Sequence, residues 1–157
     1  MGSNYKRIIL VDDDLDDHEI FSEALKDIKA KIEFAGLNES KRLIDFLLHL
    51  PMAHLPQLIF LDINMPSING LECLAQIRKR HFFKDHPVIM YSTGATKQQI
   101  LDAYFLGANL YVQKPYNYED LKSMLEKIMN LKWKNYMPHP DIENFVWGKK
   151  GISVSHL

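Results

Sequence analysis

Short apolar runs rich in Ile, Val and Leu alternate along the chain with longer segments in which apolar residues recur every three to four positions. The short runs are typical of parallel strands buried on both faces, and the longer segments are typical of helices that cover a sheet. Five runs are predicted as strands, over residues 7–11, 31–36, 57–61, 87–92 and 109–113. A strand followed by a helix five times over predicts a three-layer α/β domain with a parallel sheet and right-handed crossovers.

The positions of the helices are predicted from the spacing of their apolar residues and from residues that can cap a helix N-terminus. The second helix is predicted over 40–50, and the third follows residue 70. Thr96 followed by Gln99 is a capping box that predicts a fourth helix through 106, and Asn117 followed by Asp120 predicts the start of a fifth. The first helix is predicted over 15–29, with a buried face formed by Ile20, Phe21, Ala24, Leu25 and Ile28.

The alternation ends near residue 131, so residues 5–131 are expected to form one domain. The segment 132–157 carries both tryptophans, two prolines and no long periodic face. We expect this C-terminal tail either to pack on the domain or to be partly disordered, because it is too short to be a second domain.

Composition narrows the class of protein. The chain has 157 residues, 46% of them hydrophobic, and 19 Lys plus Arg against 20 Asp plus Glu. The net charge of -1 argues against a nucleic-acid partner, which needs an excess of basic residues. The single Cys73 rules out an internal disulfide and a cysteine metal cluster. The apolar runs are far shorter than the ~20 residues that a membrane span needs, and the N-terminus does not have the pattern of a signal peptide. We therefore expect a cytoplasmic protein with no membrane partner.

Polar residues follow four of the five predicted strands. Asp12 and Asp13 follow the first strand, Asp62 the third, Ser92 the fourth and Lys114 the fifth. Ligands of open α/β sheets bind at the carboxyl ends of the strands, where these side chains are expected to meet. Each residue has an ordinary explanation when taken singly, such as a solvated acidic turn or a surface lysine. Taken together, the carboxylates would repel one another unless a cation and a lysine offset their charge.

Carboxylates, a carbonyl and water are the ligands that Mg²⁺ prefers, and bound Mg²⁺ usually keeps waters that a phosphate can displace. A phosphoryl group is therefore implied, its oxygens neutralised by the metal and Lys114, with Ser92 donating a hydrogen bond. Asp62 stands alone at its strand end and is the natural nucleophile, which leaves Asp12 and Asp13 to hold the metal.

Four segments carry a resemblance to a known family: ILVDDD at 9–14, LIFLDINMPSINGLE at 58–72, PVIMYSTGA at 87–95 and GANLYVQKPY at 107–116. In this order and spacing they resemble the response-regulator receiver domain, of which the CheY-like single-domain proteins are the simplest form. The resemblance implies a doubly wound (βα)5 flavodoxin-like fold with a five-stranded parallel sheet in the order 2-1-3-4-5. It also implies a stand-alone receiver in a two-component phosphorelay.

The resemblance assigns roles to the residues of the site. Asp62 is similar to the phosphoacceptor, and Asp12 and Asp13 to the acidic metal pocket that holds Mg²⁺ together with Asp62. The backbone carbonyl of Asn64 is similar to a further metal ligand, and Lys114 to the lysine that binds the phosphoryl group.

The resemblance also implies a switch. Ser92 aligns with the hydroxyl residue that moves to the phosphoryl group, and Tyr111 with the aromatic residue that then turns inward. Tyr111 could equally be an ordinary aromatic on an edge strand. Pro115 is expected to follow a cis peptide bond, as it does in the family.

The implied partners are a sensor histidine kinase or a histidine phosphotransfer protein as donor, and a downstream protein target whose identity the sequence does not give. The only chemistry expected is self-phosphorylation from phosphodonors and slow autodephosphorylation. Asp14, Asp16 and Asp17 make the mouth of the site unusually acidic, and they either favour metal binding or solvate the start of the helix. His18 is expected to be solvated.

Three alternatives are weighed against this interpretation. An EF-hand would use Asp12, Asp14, Asp16 and Glu23, but it needs Gly where Asp17 stands and a preceding helix where a strand is predicted. A haloacid-dehalogenase-type phosphatase needs an acid two residues after its nucleophile, where this chain has Asn64. A receiver-like interaction module that is never phosphorylated would keep the fold without needing the intact set of site residues.

Overall fold

The computed structural model describes residues 6–28, 31–80 and 83–147 of the chain. Its sheet has six parallel strands in the order β2-β1-β3-β4-β5-β6. The strands are β1 (Lys6–Val11), β2 (Ile32–Leu37), β3 (Leu58–Leu61), β4 (Val88–Ser92), β5 (Leu110–Gln113) and β6 (Val146–Trp147). The predicted parallel, flavodoxin-like sheet is confirmed, but the prediction of five strands is wrong because a sixth pairs with β5.

Five α-helices cover the two faces of this sheet. They are α1 (Leu15–Asp27), α2 (Lys41–His49), α3 (Gly70–Arg78), α4 (Lys97–Phe105) and α5 (Tyr118–Met129). Helices α1 and α5 pack together over one core, and α2, α3 and α4 cover a second core on the opposite face. The central strands β3 and β4 are buried along their whole length, which is why they read as unbroken apolar runs in the sequence.

The helix starts follow the local chemistry of the sequence. The Thr96 side chain accepts a hydrogen bond from the Gln99 N–H and the Gln99 side chain bonds the Thr96 N–H, which confirms the predicted capping box. Asn117 caps α5 in the same manner by accepting from the Asp120 N–H. These caps pair N–H groups that helix ends leave without partners, so the sequence sets where α4 and α5 begin.

The buried face predicted for the first helix needs one correction. Phe21, Ala24 and Leu25 are buried as expected, but Ile20 is 44% exposed. Successive residues on a helix are about 100° apart, so Ile20 lies to one side of the stripe centred on Phe21 and Leu25.

The C-terminal tail packs along the edge of the sheet as far as residue 147. Its strand β6 pairs with β5 in the register Tyr111↔Val146 and Val112↔Trp147. The side chain of Phe145 is fully buried, and its ring lies edge-on to the ring of Tyr104 in α4, with centroids 5.1 Å apart. Residues 148–157 lie outside the described residues, and the domain boundary near 131 stays a prediction.

A buried asparagine ties this tail to the domain. Asn109 is fully buried, and its Nδ2 donates to the carbonyl oxygen of Tyr136 at 3.0 Å. Its Oδ1 accepts from the Val88 N–H at 2.9 Å and from Arg78 Nη2 at 2.8 Å. One side chain therefore connects α3, the start of β4 and the first turn of the tail.

Among the helices of the described residues, none has the length and apolar character that crossing a membrane requires.

Candidate functional site

Strand register brings the predicted site residues to one edge of the sheet. Val11 of β1 pairs with Leu61 of β3, so the residues that follow them, Asp12 and Asp62, are neighbours, and the Asp62 N–H bonds the Val11 carbonyl. Ser92 ends β4, and its carbonyl accepts from the backbone N–H of Lys114 at 2.8 Å. All four side chains belong to residues that are at most 9% exposed.

Three carboxylates form a cluster that fits a metal ion. One oxygen from each of Asp12, Asp13 and Asp62 lies within 4.8 Å of the other two. Asp12 and Asp62 are buried, and Asp13 is exposed. Such a set of oxygen ligands, open to water on one side, suits Mg²⁺, which keeps several waters when it binds to proteins.

The main chain of Asp12 is fixed by His18. The His18 Nε2 lies 2.7 Å from the Asp12 carbonyl oxygen, and because a carbonyl only accepts, Nε2 carries the proton. The His18 ring packs on Gly36, where an added Cβ would stand 2.2 Å from Nδ1. The expectation that His18 is solvated is met only in part: the residue is half-buried, because the missing side chain at residue 36 leaves room for the ring against β2.

Lys114 is held by three carboxylates. Its Nζ lies 2.6 Å from Asp12 Oδ2, 2.7 Å from Asp17 Oδ2 and 3.3 Å from Asp62 Oδ2. Burial by itself lowers the pKa of Lys114, but hydrogen bonds to Asp12 and Asp17 and the charge of Asp62 raise it above its ordinary value overall. Lys114 therefore carries a full positive charge at neutral pH.

The contact with Asp17 is the one that sequence reasoning missed. Asp17 lies in the first turn of α1, and the sequence suggests for it either a part in metal binding or solvation of the helix start, without a contact to Lys114. Its sequence separation from Lys114 is 97 residues. The acidic run at 12–17 was the available signal, but linking Asp17 to Lys114 requires knowing how α1 lies against the end of β5.

Asp62 is a weaker acid than an ordinary aspartate. Burial raises the pKa of Asp62 to about 6, with the Lys114 charge opposing the rise and the Asp12 charge adding to it. Its Oδ1 accepts from the Asn64 N–H at 3.1 Å. Burial likewise raises the pKa of Asp12 above its ordinary value. At neutral pH most Asp62 side chains are still ionised and can act as nucleophiles.

The close packing of α3 determines where Asp62 stands. A Cβ added to Gly70 would lie 2.1 Å from the Asp62 carbonyl oxygen, and the Gly70 N–H donates to the Ile63 carbonyl at 2.9 Å. The first residue of α3 thus supports the backbone that carries the nucleophile.

Ser92 and Asn64 form a small network beside Asp62. The Ser92 hydroxyl donates to the Gly94 carbonyl at 3.2 Å, and Asn64 Nδ2 donates to that carbonyl at 3.0 Å and to Ser92 Oγ at 3.3 Å. The Ser92 hydroxyl is thus bonded within its own loop, and a rotation about its side chain would free it for another acceptor.

Tyr111 lies inside the protein and not on an edge. Its side chain is fully buried, and within the described residues its hydroxyl has no hydrogen-bond partner. Burial, and secondly the charge of Asp62, raise the pKa of Tyr111 to about 12. The strand of Tyr111 is not an edge strand, because β6 extends the sheet beyond β5, and the role of Tyr111 as a switch residue stays a prediction.

The cis peptide bond expected before Pro115 is not found. The cis bond recorded for the described residues joins Met137 to Pro138. A bond that precedes proline prefers trans by only about 0.5–1 kcal/mol, so the Lys-Pro pair alone does not determine the isomer.

The geometry also argues against two of the three alternatives, the EF-hand and the haloacid-dehalogenase-type phosphatase. Asp12 follows a strand, so the helix that an EF-hand requires before its loop is absent at this point. Asp62 follows β3, with Asn64 in place of the second acid, which is unlike the haloacid-dehalogenase arrangement.

Comparisons with known proteins agree with this geometry. Two curated relatives are the chemotaxis protein CheY-3 of Vibrio cholerae, 33% identical over 78% of this chain and 90% of its own length, and the chemotaxis protein CheY of Pseudomonas aeruginosa, 34% identical over 78% and 94%. Both relatives are matched over nearly their whole length.

Two solved structures share the fold and have about 30% sequence identity to this chain. The Mn²⁺-bound form of response regulator Rcp1 is 31% identical with a TM-score of 0.69, covering 78% of this chain and 91% of that one. The phosphorylated cyanobacterial phytochrome response regulator RcpA is 28% identical with a TM-score of 0.72, covering 85% and 94%. The sequence model of the protein family described as the response regulator receiver domain matches residues 8–126 of this chain. The chain therefore belongs to the response regulator receiver family, whose members act in two-component signalling as phosphoacceptors.

Proposed function

We propose that Asp62 is the residue that accepts the phosphoryl group. The observation that carries this proposal is the placement of its two oxygens: Oδ1 is bonded to the Asn64 N–H and Oδ2 is paired with Lys114 Nζ. Asp12 and Asp13 stand beside it within reach of one cation. Asp62 is therefore a buried carboxylate with a fixed orientation, and the site around it is open to solvent on the side of the exposed Asp13.

Phosphorylation by this route is a simple displacement. An oxygen of Asp62 forms the new bond to phosphorus while the bond between phosphorus and the donor nitrogen breaks, and the departing nitrogen takes a proton. Because the pKa of Asp62 is about 6, the nucleophile is mostly ionised at neutral pH. Lys114 supplies a fixed positive charge beside Asp62, where it can stabilise the negatively charged oxygens of the incoming phosphoryl group.

The metal ligands we propose are Asp12, Asp13, Asp62 and the backbone carbonyl of Asn64, with Mg²⁺ as the ion. When bound, Mg²⁺ neutralises charge on the transferred phosphoryl oxygens. The cluster of three carboxylates supports this assignment, as does the Mn²⁺-bound form of the related Rcp1. Lys114 offsets part of the carboxylate charge and so permits the cluster to stay together without the ion.

For the switch we propose Ser92 and Tyr111. A new phosphoryl group carries close to two negative charges and draws Lys114 and the Ser92 hydroxyl towards it. Ser92 then leaves the Gly94 carbonyl to which it is now bonded. The Tyr111 hydroxyl has no hydrogen-bond partner in the part of the chain that the structure describes. It lies near enough to Asp62 for the charge of Asp62 to raise the pKa of Tyr111, so a phosphoryl group on Asp62 would also act on β5.

The partners follow from the family. Receiver domains take phosphoryl groups from histidine kinases and act on downstream proteins, and we propose a sensor histidine kinase or a histidine phosphotransfer protein as the donor here. The downstream partner would read the surface that Ser92 and Tyr111 control, near α4 and β5.

The experiment is an intact-mass measurement after incubation with phosphoramidate and Mg²⁺. We expect one phosphate-sized gain in the native protein, which disappears with EDTA and in Asp62→Asn. Asp45→Asn, which removes an exposed carboxylate from α2, is the matched control and should gain the phosphate normally. A gain that persists in Asp62→Asn would move the acceptor to another residue, and no gain in the native protein would favour an interaction module that is never phosphorylated.

A further inference from the structure

Asp17 is closer to the active-site lysine than the proposed acceptor is. The Asp17 Oδ2 to Lys114 Nζ distance is 2.7 Å, against 3.3 Å from Asp62 Oδ2. The side chain of Asp17 is 30% exposed, whereas those of Asp12 and Asp62 are 0% and 8% exposed. Asp17 thus makes a direct ion pair with Lys114 at the solvent side of the site.

An ammonium group has three N–H bonds, and in this structure three carboxylates surround it. The hydrogen bond from Lys114 to Asp62 can pass to a phosphoryl group on that residue. A closer approach of Lys114 to the phosphoryl oxygens then requires Asp12 or Asp17 to give up its contact. Asp12 is fully buried and would be left without solvent, so releasing it is costly. Asp17 can be hydrated after release, which makes it the contact most easily exchanged.

We infer that Asp17 is a positioning residue that competes with the phosphoryl group for Lys114 and thereby limits how fast the group is gained and how long it is kept. This inference rests on the proposed function of Asp62. Asp17 acts in two ways, by drawing the ammonium towards α1 and by adding a negative charge near the incoming phosphoryl oxygens. Both effects oppose phosphorylation.

Asp16 provides a matched control for the second of these effects. It lies in the same turn of α1, it is exposed, and its backbone N–H bonds the Asp14 side chain. The ion pairs of Lys114 within the described residues are with Asp12, Asp17 and Asp62, so Asp16 contributes charge without contact. Asp17→Asn and Asp16→Asn remove the same charge from neighbouring positions, and only the first removes the contact.

The first measurement needs neither metal nor phosphate. In EDTA, the change in Tm caused by Asp17→Asn should differ between the native background and Lys114→Met, because the two side chains interact. The change caused by Asp16→Asn should be the same in both backgrounds. Equal changes for Asp17→Asn in the two backgrounds would overturn the inference.

The second measurement is kinetic. With phosphoramidate and Mg²⁺, we expect Asp17→Asn to gain phosphate about two to five times faster than the native protein, and to lose it more slowly by a similar factor after the donor is removed, the size expected for one partly exposed ion pair. Asp16→Asn, which removes charge without a contact, should change both rates much less than Asp17→Asn does, and the effect of Asp17→Asn should shrink to that of Asp16→Asn in the Lys114→Met background, where only the charge effect remains.

The outcomes separate this inference from the proposal on which it rests. If native protein gains no phosphate at Asp62, the proposed function fails and the inference fails with it. If native protein is phosphorylated at Asp62 but Asp17→Asn and Asp16→Asn behave alike, or if Asp17→Asn slows the gain, the inference alone is overturned.

Discussion

The backbone N–H of Tyr111 donates a hydrogen bond to the carbonyl oxygen of Phe145, across 2.8 Å. The residue proposed as the aromatic switch is therefore also the point at which the C-terminal tail joins the sheet. Phe145 is fully buried between β5 and α4, and Tyr104 of α4 donates its hydroxyl to the Pro140 carbonyl at 2.9 Å. The tail is attached to the two elements through which the proposed switch would act.

We predict that Phe145→Ala lowers the free energy of unfolding by about 3–5 kcal/mol, the usual cost of removing a buried aromatic side chain. Phe105→Ala is the control, since Phe105 lies in α4 but is 74% exposed, and its cost should be well under 1 kcal/mol. Urea denaturation measures both. A loss for Phe145→Ala no larger than that for Phe105→Ala would show that the tail is not packed as the structure has it.

We predict that Gly70→Ala destabilises the protein by about 1–3 kcal/mol and slows phosphorylation of Asp62. The added Cβ would lie 2.1 Å from the Asp62 carbonyl oxygen, so α3 or the backbone of Asp62 must shift. Gly94→Ala is the control, because nothing lies within 4 Å of its added Cβ. Thermal unfolding and the phosphorylation rate test the pair, and equal behaviour of the two variants would contradict the packing described for α3.

We predict that Asn109→Ala costs about 2–4 kcal/mol, because the Val88 N–H and the Arg78 guanidinium lose an acceptor in the protein interior. Asn130→Ala is the control: it removes an exposed asparagine whose side chain donates to the Glu126 carbonyl at the end of its own helix. Its cost should be below about 1 kcal/mol. Limited proteolysis gives a second measurement, since Asn109→Ala should expose the tail to cleavage before the rest of the domain. A tail as resistant as in the native protein would argue against this attachment.

We predict a pH-dependent gain in stability for Asp62→Asn in EDTA. Burial raises the pKa of Asp62 from 3.8 to about 6 in the folded protein, so the folded state holds its proton more tightly than the unfolded state does. Native protein therefore gains stability through this group as the pH falls from 7 to 4, and Asp62→Asn does not. The variant should be more stable by up to about 3 kcal/mol at pH 7.5.

That advantage should be nearly lost at pH 4, where Asp62 is protonated in the folded state, and should disappear at lower pH, where the unfolded state is protonated as well. Urea denaturation of the two proteins at pH 7.5 and pH 4 tests the prediction, with Asp45→Asn as the control for loss of an exposed charge. Titrating groups that do not interact with Asp62 are common to both proteins and cancel in the difference, whereas Asp12, whose charge raises the pKa of Asp62, contributes to it. An advantage that grows as the pH falls would show that the pKa of Asp62 is lowered instead.

Much of the fold could be predicted because local signals agree with tertiary structure. Strands β3 and β4 are buried on both faces and show it as apolar runs, and Thr96 and Asn117 begin helices by their own side-chain chemistry. The site residues could be predicted because parallel strands deliver their carboxyl ends to one edge. Asp12, Asp62, Ser92 and Lys114 are brought together there.

The remaining features depend on contacts between distant parts of the chain. Strand β6 has two residues, and its pairing partner is an edge that exists only after β5 has joined the sheet. The ion pair of Asp17 with Lys114 and the packing of His18 on Gly36 both depend on how α1 lies over the strand ends. The pattern of apolar and polar positions along the sequence does not show which distant residues make these contacts.

Strand β6 changes what a second protein would meet at this side of the domain. The outer backbone of β5 is already used by the chain's own residues, which are tethered to it and so are present at a high effective concentration. A peptide from another protein could pair with β5 only by displacing β6. Binding of a peptide at this edge would thus depend on how stably Val146 and Trp147 pair with β5, and stabilising that pairing would by itself weaken the binding.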